Sequence, residues 1–213
     1  MTTRRSLINI FNRSYSAAVR DSAELTNIIK SELEHERNTI PFYLTKNELG
    51  SLGSFVLEWD KPESKDVFLR RKNEFGEEIA VSALLGPPIA AEEEIAQEGL
   101  FPNTGLMKVG IKKPGLSSIL QFDCGCIGKC EGGSQFSIQN AYYLSSSTSL
   151  GDSVYKGPLF RTLDPQLQNA LKDYLRARGI VEDFTDFLLH HLHKREYVQY
   201  MAWLQKLDSS VKA

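Results

Sequence analysis

The sequence predicts an α+β protein with an N-terminal helix, an antiparallel sheet and two C-terminal helices. Between about residues 40 and 144, short runs rich in β-branched and aromatic residues alternate with Gly, Pro and Asn, a pattern typical of strands joined by turns. On both sides of this region, apolar residues recur every three or four positions, as they do on one face of a helix. Strands that follow one another without intervening helices predict an antiparallel sheet rather than β-α-β units.

Six segments have the composition of strands. They are 55–59, 67–71, 78–84, 107–112, 118–122 and 135–143. Short connections between them predict an antiparallel meander. The longest break, from Gly86 to Asn103, carries four glutamates, and a Ser-rich link from Ser145 to Ser153 precedes the last helices.

Three helices are predicted. The first, over 21–37, has an apolar stripe formed by Leu25, Ile28, Ile29 and Leu33. Asp164 is a favourable N-cap for the second helix, followed by a proline at the first helical position, and Gly179 is a natural stop. The third is predicted to begin near Glu182 and to end near Lys206. Its long apolar stripe needs another helix or a neighbouring subunit to cover it.

The charge is distributed unevenly along the 213 residues. The whole chain has a net charge of −2, from 25 basic and 27 acidic residues. Residues 1–20 contain four of the basic residues and none of the acidic ones, so residues 21–213 carry a charge of −6. A body of this sign favours cationic partners, although salt screens the field. No apolar run approaches the roughly 20 residues of a membrane-spanning helix.

Residues 1–20 have the features of a mitochondrial import signal. The segment is rich in Arg and Ser, and as a helix it places Leu7, Phe11, Tyr15 and Val19 on one face. A positively charged amphipathic helix of this kind is the physical form of a transit peptide. The arrangement of Arg13 predicts cleavage after Tyr15. The alternative is an ordinary surface helix or a disordered arm. Residues 21–213 are expected to form a single domain.

Three cysteines lie within seven residues of one another. The segment reads Cys124-Gly-Cys126-Ile-Gly-Lys-Cys130. Thiolates this close together are able to bind zinc, with a fourth ligand from a histidine or another chain. The spacing is C-x-C-x3-C rather than the C-x2-C of zinc knuckles. The simpler interpretation is reduced thiols in a flexible Gly-rich hairpin.

Two further clusters resemble ligand sets but lack the required spacing. His190, His191 and His193 are not at the i, i+4 positions that a metal-binding helix uses, so they are expected to flank the helix stripe or to contact another subunit. Glu92, Glu93 and Glu94 lack the alternating acid spacing of a calcium loop and are expected to form a solvated acidic loop, with a share in partner binding as the functional alternative. Glycine-rich phosphate-binding loops and the nucleophile-elbow motif are also absent from the sequence.

The C-terminal third resembles the mitochondrial acidic matrix protein family, also called the mitochondrial glycoprotein family. The resemblance is carried by residues 155–207, which begin Tyr155-Lys-Gly-Pro-Leu-Phe160 and close on Tyr197, Tyr200, Trp203, Leu204 and Leu207. It continues more weakly over 21–144, where Trp59 and residues 117–124 look like plant members.

This resemblance implies a strongly twisted antiparallel sheet of about seven strands, packing of the first helix against the last, and a homotrimer. It also implies a multi-ligand binding protein of the mitochondrial matrix that supports translation, ribosome function and oxidative phosphorylation and binds basic proteins. The family has no established active site, so it implies no catalytic, cofactor-binding or metal-binding residues.

The leading hypothesis is therefore a non-enzymatic, homotrimeric matrix scaffold or chaperone whose acidic face binds basic ribosomal or respiratory proteins. The second hypothesis is a zinc- or redox-responsive protein that uses Cys124, Cys126 and Cys130. The third is an unrecognised enzyme, for which no residue stands out. No motif for direct nucleic-acid binding is present in the sequence.

Overall fold

The structure, a computed structural model, describes residues 22–40, 44, 50–88, 103–129, 133–145, 155 and 157–212. Within them the elements are α1 (22–38), six strands and two further helices. The strands are β1 (Val56–Trp59), β2 (Asp66–Lys72), β3 (Glu78–Pro88), β4 (Asn103–Lys112), β5 (Ile119–Gly128) and β6 (Ser134–Leu144). A 3-10 turn (Phe160–Thr162) precedes α2 (Pro165–Arg176) and α3 (Glu182–Lys212).

The chain divides into two compact units. The first contains α1 and the last part of α3, from Tyr197 onward, and the second spans 42–196 with the sheet, α2 and the first part of α3. The import signal expected at 1–20 and the glutamates at 92–94 lie outside the described residues, as does the Ser-rich link beyond residue 145. No helix in the described ranges is long and apolar enough to cross a membrane.

The sheet is an antiparallel meander in which strands β1 to β6 are neighbours in chain order. All six predicted strands are confirmed, and so is the α+β class. The seventh strand that the family resemblance implies is not found among the described residues. The largest difference is in β5, which continues to Gly128 instead of ending at 122.

Alternation along each strand gives the sheet one buried face and one outer face. In β3, Ile79, Val81 and Ala83 are almost completely buried, whereas Leu84 on the outer face is 38% exposed. The buried face packs against apolar residues of α2 and α3, including Leu175, Phe184, Leu188, Leu189 and Leu192. The rings of Phe55 and Phe184 are 4.6 Å apart. Burial of this continuous apolar surface is the main source of stability for this unit.

Helix α2 begins and ends where the sequence predicts. The side chain of Asp164 accepts hydrogen bonds from the backbone N–H groups of Gln166 (2.8 Å) and Leu167 (3.4 Å). The helix ends at Arg176, and Gly179 follows with φ of +91°. This left-handed conformation is accessible to glycine at little cost, and a side chain at Gly179 would also collide with Arg71.

The turn between α2 and α3 is held to the β2–β3 hairpin by a buried ion pair. Arg178 Nη2 donates to Glu77 Oε1 at 2.9 Å, and its guanidinium carbon lies 3.4 Å from the centre of the Tyr174 ring. Asn73 donates a second hydrogen bond to Glu77, at 2.8 Å. The hydrogen bond from Arg178 is the main cause that holds the pKa of the Glu77 carboxyl below its ordinary value, although burial acts in the opposite direction.

The first unit is an antiparallel pair of helices. Tyr200 Oη donates to Glu32 Oε1 at 3.0 Å and Tyr197 Oη donates to the carbonyl of Glu36 at 3.1 Å, so residue numbers rise along one helix as they fall along the other. Leu204 of α3 is buried with Ile29 and Leu33 of α1. The predicted packing of the first helix against the last is confirmed. Helix α3 runs to Lys212 rather than Lys206, because Leu207 and Val211 extend this contact.

Replacing Glu77 with glutamine should lower the free energy of unfolding by roughly 3 kcal/mol at pH 7, because it leaves the Arg178 guanidinium buried without a counter-charge. Since the folded pKa of Glu77 is lowered, its contribution is present above the unfolded value of about 4.3 and is lost as pH falls through the folded value. The difference between wild type and Glu77→Gln, measured by urea denaturation, should therefore shrink at acid pH.

Glu74→Gln is the matched control, because Glu74 is an exposed glutamate of the same hairpin. It should change stability by less than about 0.5 kcal/mol. Equal effects of the two substitutions would show that the buried pair is not what stabilises this turn.

Candidate functional site

Cys124 and Cys126 lie inside β5, on the buried face of the sheet. They are 2% and 0% exposed, and Cys126 Sγ lies 3.5 Å from the carbonyl oxygen of Gly105. The expectation of a flexible hairpin is therefore wrong for these two residues. Gly125, between them, belongs to the strand. Cys130 lies outside the described residues.

Burial makes these two thiols poor nucleophiles and poor ligands. It raises the pKa of Cys124 and of Cys126 to about 12, with a further contribution at Cys124 from the carboxylate of Asp123. Zinc binding and thiol exchange both use the thiolate. The geometry thus opposes the zinc and redox hypothesis for Cys124 and Cys126. Across the described ranges, no group of three His, Cys, Asp or Glu side chains is placed to hold a metal ion.

The three histidines of α3 do not form one cluster. His190 and His193 are both 4% exposed and face the interior. His191 points elsewhere: its Nε2 lies 2.9 Å from Asp60 Oδ2, and its ring stacks on Phe187 at 5.6 Å. The surroundings of all three histidines are therefore structural. His190 and His193 are buried beside the apolar stripe of α3, and His191 contacts the β1–β2 turn.

Arg195 of α3 also binds the β1–β2 turn, and the sequence did not indicate this contact. Its Nε lies 2.7 Å from Asp60 Oδ1, and its Nη atoms donate to the carbonyls of Lys61, Ser64 and Asp66 at 2.8 to 3.2 Å. A guanidinium that satisfies several carbonyls and one carboxylate fixes a loop tightly. No local sequence pattern signals a contact between residues about 130 positions apart.

Charge in the described part of the chain is balanced. Acidic and basic residues are equal in number there, so the excess negative charge of 21–213 lies in the remaining segments. Most of it is in 89–102, which contains Glu92, Glu93, Glu94 and Glu98. The described part as a whole therefore has no net charge.

One side of the helix pair carries exposed apolar side chains. Ile28 is 59% exposed and Trp203 is 55% exposed. Trp203 stacks on Tyr200 at 6.1 Å, Tyr200 contacts Glu32, and Ile28 precedes Glu32 by one helical turn. These four residues thus lie on the same side of the pair, which we call the helix-pair surface. Exposed apolar groups clustered in this way are typical of an interaction surface.

Taken together, these observations define an α+β protein whose helix pair carries an exposed apolar surface. Comparison with known protein families assigns the chain to one of them. Residues 29–211 match the mitochondrial glycoprotein family, MAM33. The chain belongs to this family, whose members are not enzymes.

Individual relatives agree with this assignment. The mitochondrial acidic protein mam33 of Schizosaccharomyces pombe is 26% identical over an alignment of 234 residues, which covers 94% of this chain and 82% of the relative. The crystal structure of the Trypanosoma brucei p22 protein superposes with a TM-score of 0.67 at 19% identity, covering 90% of this chain and 98% of that one. A Leishmania major protein described as a sequence homologue of human p32 gives 0.63 at 18% identity, covering 90% and 99%. These two structures share the fold.

Cys124 and Cys126 should resist alkylation in the native protein. At pH 8 a pKa of about 12 leaves about one thiol in ten thousand ionised, and burial blocks the reagent as well. In a Cys130→Ser variant, mass spectrometry after iodoacetamide treatment should show no label in the folded state and two labels in denaturant. Rapid labelling of the folded variant would contradict the buried position of these residues.

Proposed function

We propose that this chain is a non-enzymatic multi-ligand binding protein of the mitochondrial matrix, and that it acts as a homotrimeric scaffold or chaperone in support of mitochondrial translation and oxidative phosphorylation. The match to the mitochondrial glycoprotein family over residues 29–211 carries this proposal. The similarity of Trp59 and of residues 117–124 to plant members supports a plant-type protein.

Residues 1–20 are proposed to direct import, with cleavage after Tyr15, and residues 21–213 are proposed to form one family-type domain. The four arginines and the absence of acidic residues in 1–20 support this role. Cleavage after Tyr15 removes Arg4, Arg5 and Arg13, so the imported protein has three fewer positive side chains than its precursor.

The helix-pair surface is proposed as an assembly surface. Trp203 and Ile28 expose large apolar groups that the antiparallel partner helix does not cover. Aromatic and aliphatic anchors of this kind are enriched in the buried centres of subunit interfaces. Contact with another copy of the chain would cover this side of the pair.

Partner binding is proposed to depend on the acidic segment 89–102. The described part has no net charge, and residues 89–102 hold four of the six excess negative charges of 21–213, which supports this segment as a source of attraction for basic proteins. Three copies in a trimer would raise the avidity for partners that have several basic segments. Such attraction is electrostatic and is therefore weakened by salt.

Trp203→Glu and Ile28→Glu should each dissociate the assembly, because either substitution places a charge in the proposed interface. Light scattering should give about three times the chain mass of 24.0 kDa for the wild type and one chain mass for these variants. Val198→Glu is the control, since Val198 is 56% exposed but lies on the other side of α3. A monomeric wild type, or equal dissociation by all three substitutions, would overturn the proposed surface.

Glutamine at Glu92, Glu93, Glu94 and Glu98 should reduce capture of an Arg- and Lys-rich peptide at least threefold at about 50 mM salt, where screening is weak. The control variant replaces four exposed glutamates elsewhere with glutamine. They are Glu24, Glu34, Glu74 and Glu196. Both variants have the same net charge, and the control should retain capture.

Surface plasmon resonance across a salt series measures how the substitutions and the salt concentration each change peptide capture. An equal loss in the two variants would show that capture follows net charge rather than residues 89–102. Capture by the wild type that is unchanged at high salt would contradict an electrostatic mechanism.

A further inference from the structure

The outer face of the sheet contains a concavity of about 420 Å³ in the second unit. It is lined by residues of β2 to β6 and of the turn before β2. Lys65, Asp66, Leu84, Leu106, Lys108 and Gln139 are among its lining residues. This volume lies within the range of sites that hold small organic molecules.

A β-bulge shapes one side of this concavity. Asp123 pairs with Asn140 and Cys124 pairs with Ile138, so Gln139 is the extra residue in β6. A Cβ placed on Gly125 would lie 3.3 Å from Gln139 Nε2, which shows that the amide extends over the glycine. Bulges re-aim side chains in this way and are common beside functional sites. The missing side chain of Gly125 makes room for this amide at the edge of the concavity.

The acidic groups of the concavity already have partners. Asp66 Oδ1 accepts a hydrogen bond from Ser64 Oγ, and Asp123 Oδ1 accepts one from Gln121 Nε2 at 3.2 Å. Asp123 is also hydrogen-bonded to Tyr142, which contributes, after burial, to the raised pKa of that phenol. These neutral donors orient the two carboxylates but do not remove their charges, so the two carboxylates balance the two lysines of the lining.

The basic groups of the concavity are Lys65 and Lys108. Within the described ranges, neither Lys65 nor Lys108 forms an ion pair or a hydrogen bond with another side chain. Lys108 is directly opposite Ser82 on one side and Asp123 on the other. Two ammonium groups and a hydroxyl on the lining of one concavity provide donors for an anion.

An apolar wall lies next to these donors. Leu84 of β3 pairs with Leu106 of β4, and both line the concavity. Leu84 is 38% exposed. The wall offers a ligand apolar contact that an inorganic anion cannot use.

We propose that this concavity binds a small organic anion with an apolar body, such as a carboxylate on a short alkyl chain. Lys65 and Lys108 hold the carboxylate, while Leu84 and Leu106 contact the alkyl chain. This site is chemically opposite to the acidic segment proposed to bind basic proteins, and the two proposals stand or fall separately.

The test is a titration of the full chain with octanoate, followed by NMR of leucine methyl groups and by calorimetry. Octanoate should bind saturably and shift the methyl signals of Leu84 and Leu106. Lys108→Gln should weaken binding about tenfold, because it removes one charge-assisted hydrogen bond. Lys112→Gln is the matched control: Lys112 is four residues further along the same face of β4 and does not line the concavity. It should leave the affinity unchanged.

Two further probes separate the parts of the proposal. Octanol, which keeps the chain but lacks the charge, should bind at least tenfold more weakly, and inorganic phosphate should bind more weakly than octanoate. Binding of phosphate as strong as that of octanoate would overturn the role of the leucine wall. The absence of saturable methyl shifts with octanoate, or equal losses in Lys108→Gln and Lys112→Gln, would overturn the site itself.

Discussion

The buried pair between Arg178 and Glu77 is the constraint on which the arrangement of the second unit depends. It joins the turn between α2 and α3 to the start of β3, across 101 positions of sequence. Arg71 adds a hydrogen bond to the carbonyl of Arg178 at 3.1 Å, so both strands of the hairpin are attached to the same turn. A buried pair of this kind is costly to desolvate and contributes to stability only while every partner is in place. The pair therefore fixes the position of the turn between α2 and α3 relative to the sheet. The apolar contacts between the sheet and these two helices depend on that position.

With its buried face committed to the helices, the sheet has one face left for other molecules. The same strand alternation that buries Val109 places Lys108 on the outer face. Small residues keep part of this face open: Ala80 and Gly110 are paired at its centre, and Gly125 accommodates the amide of Gln139. A concavity there requires no lid or special loop, because it results from one bulge and a few missing side chains in an otherwise regular meander.

Features encoded by neighbouring residues were predictable from the sequence. The N-cap at Asp164 depends on backbone groups two and three residues away, and the six strands depend on local alternation, so both were identified. Gly125 was misinterpreted as part of a hairpin, because a glycine in a strand that makes room for a side chain has the same sequence signal as one in a turn. The contact of His191 with Asp60 spans 131 positions and leaves no local pattern. The concavity is likewise created by the register of five strands, which is a tertiary property.

The distribution of charge connects the fold to the proposed function. The described part has no net charge, so the region that carries the helix-pair surface proposed for assembly contributes little to the repulsion between copies. The acidic residues between β3 and β4 are the part of the sequence that we propose determines partner choice, and they lie outside the strands of the sheet. Under these proposals, stability, assembly and partner binding depend on different sets of residues. A substitution in one set is then expected to change one of these properties and to leave the other two unchanged.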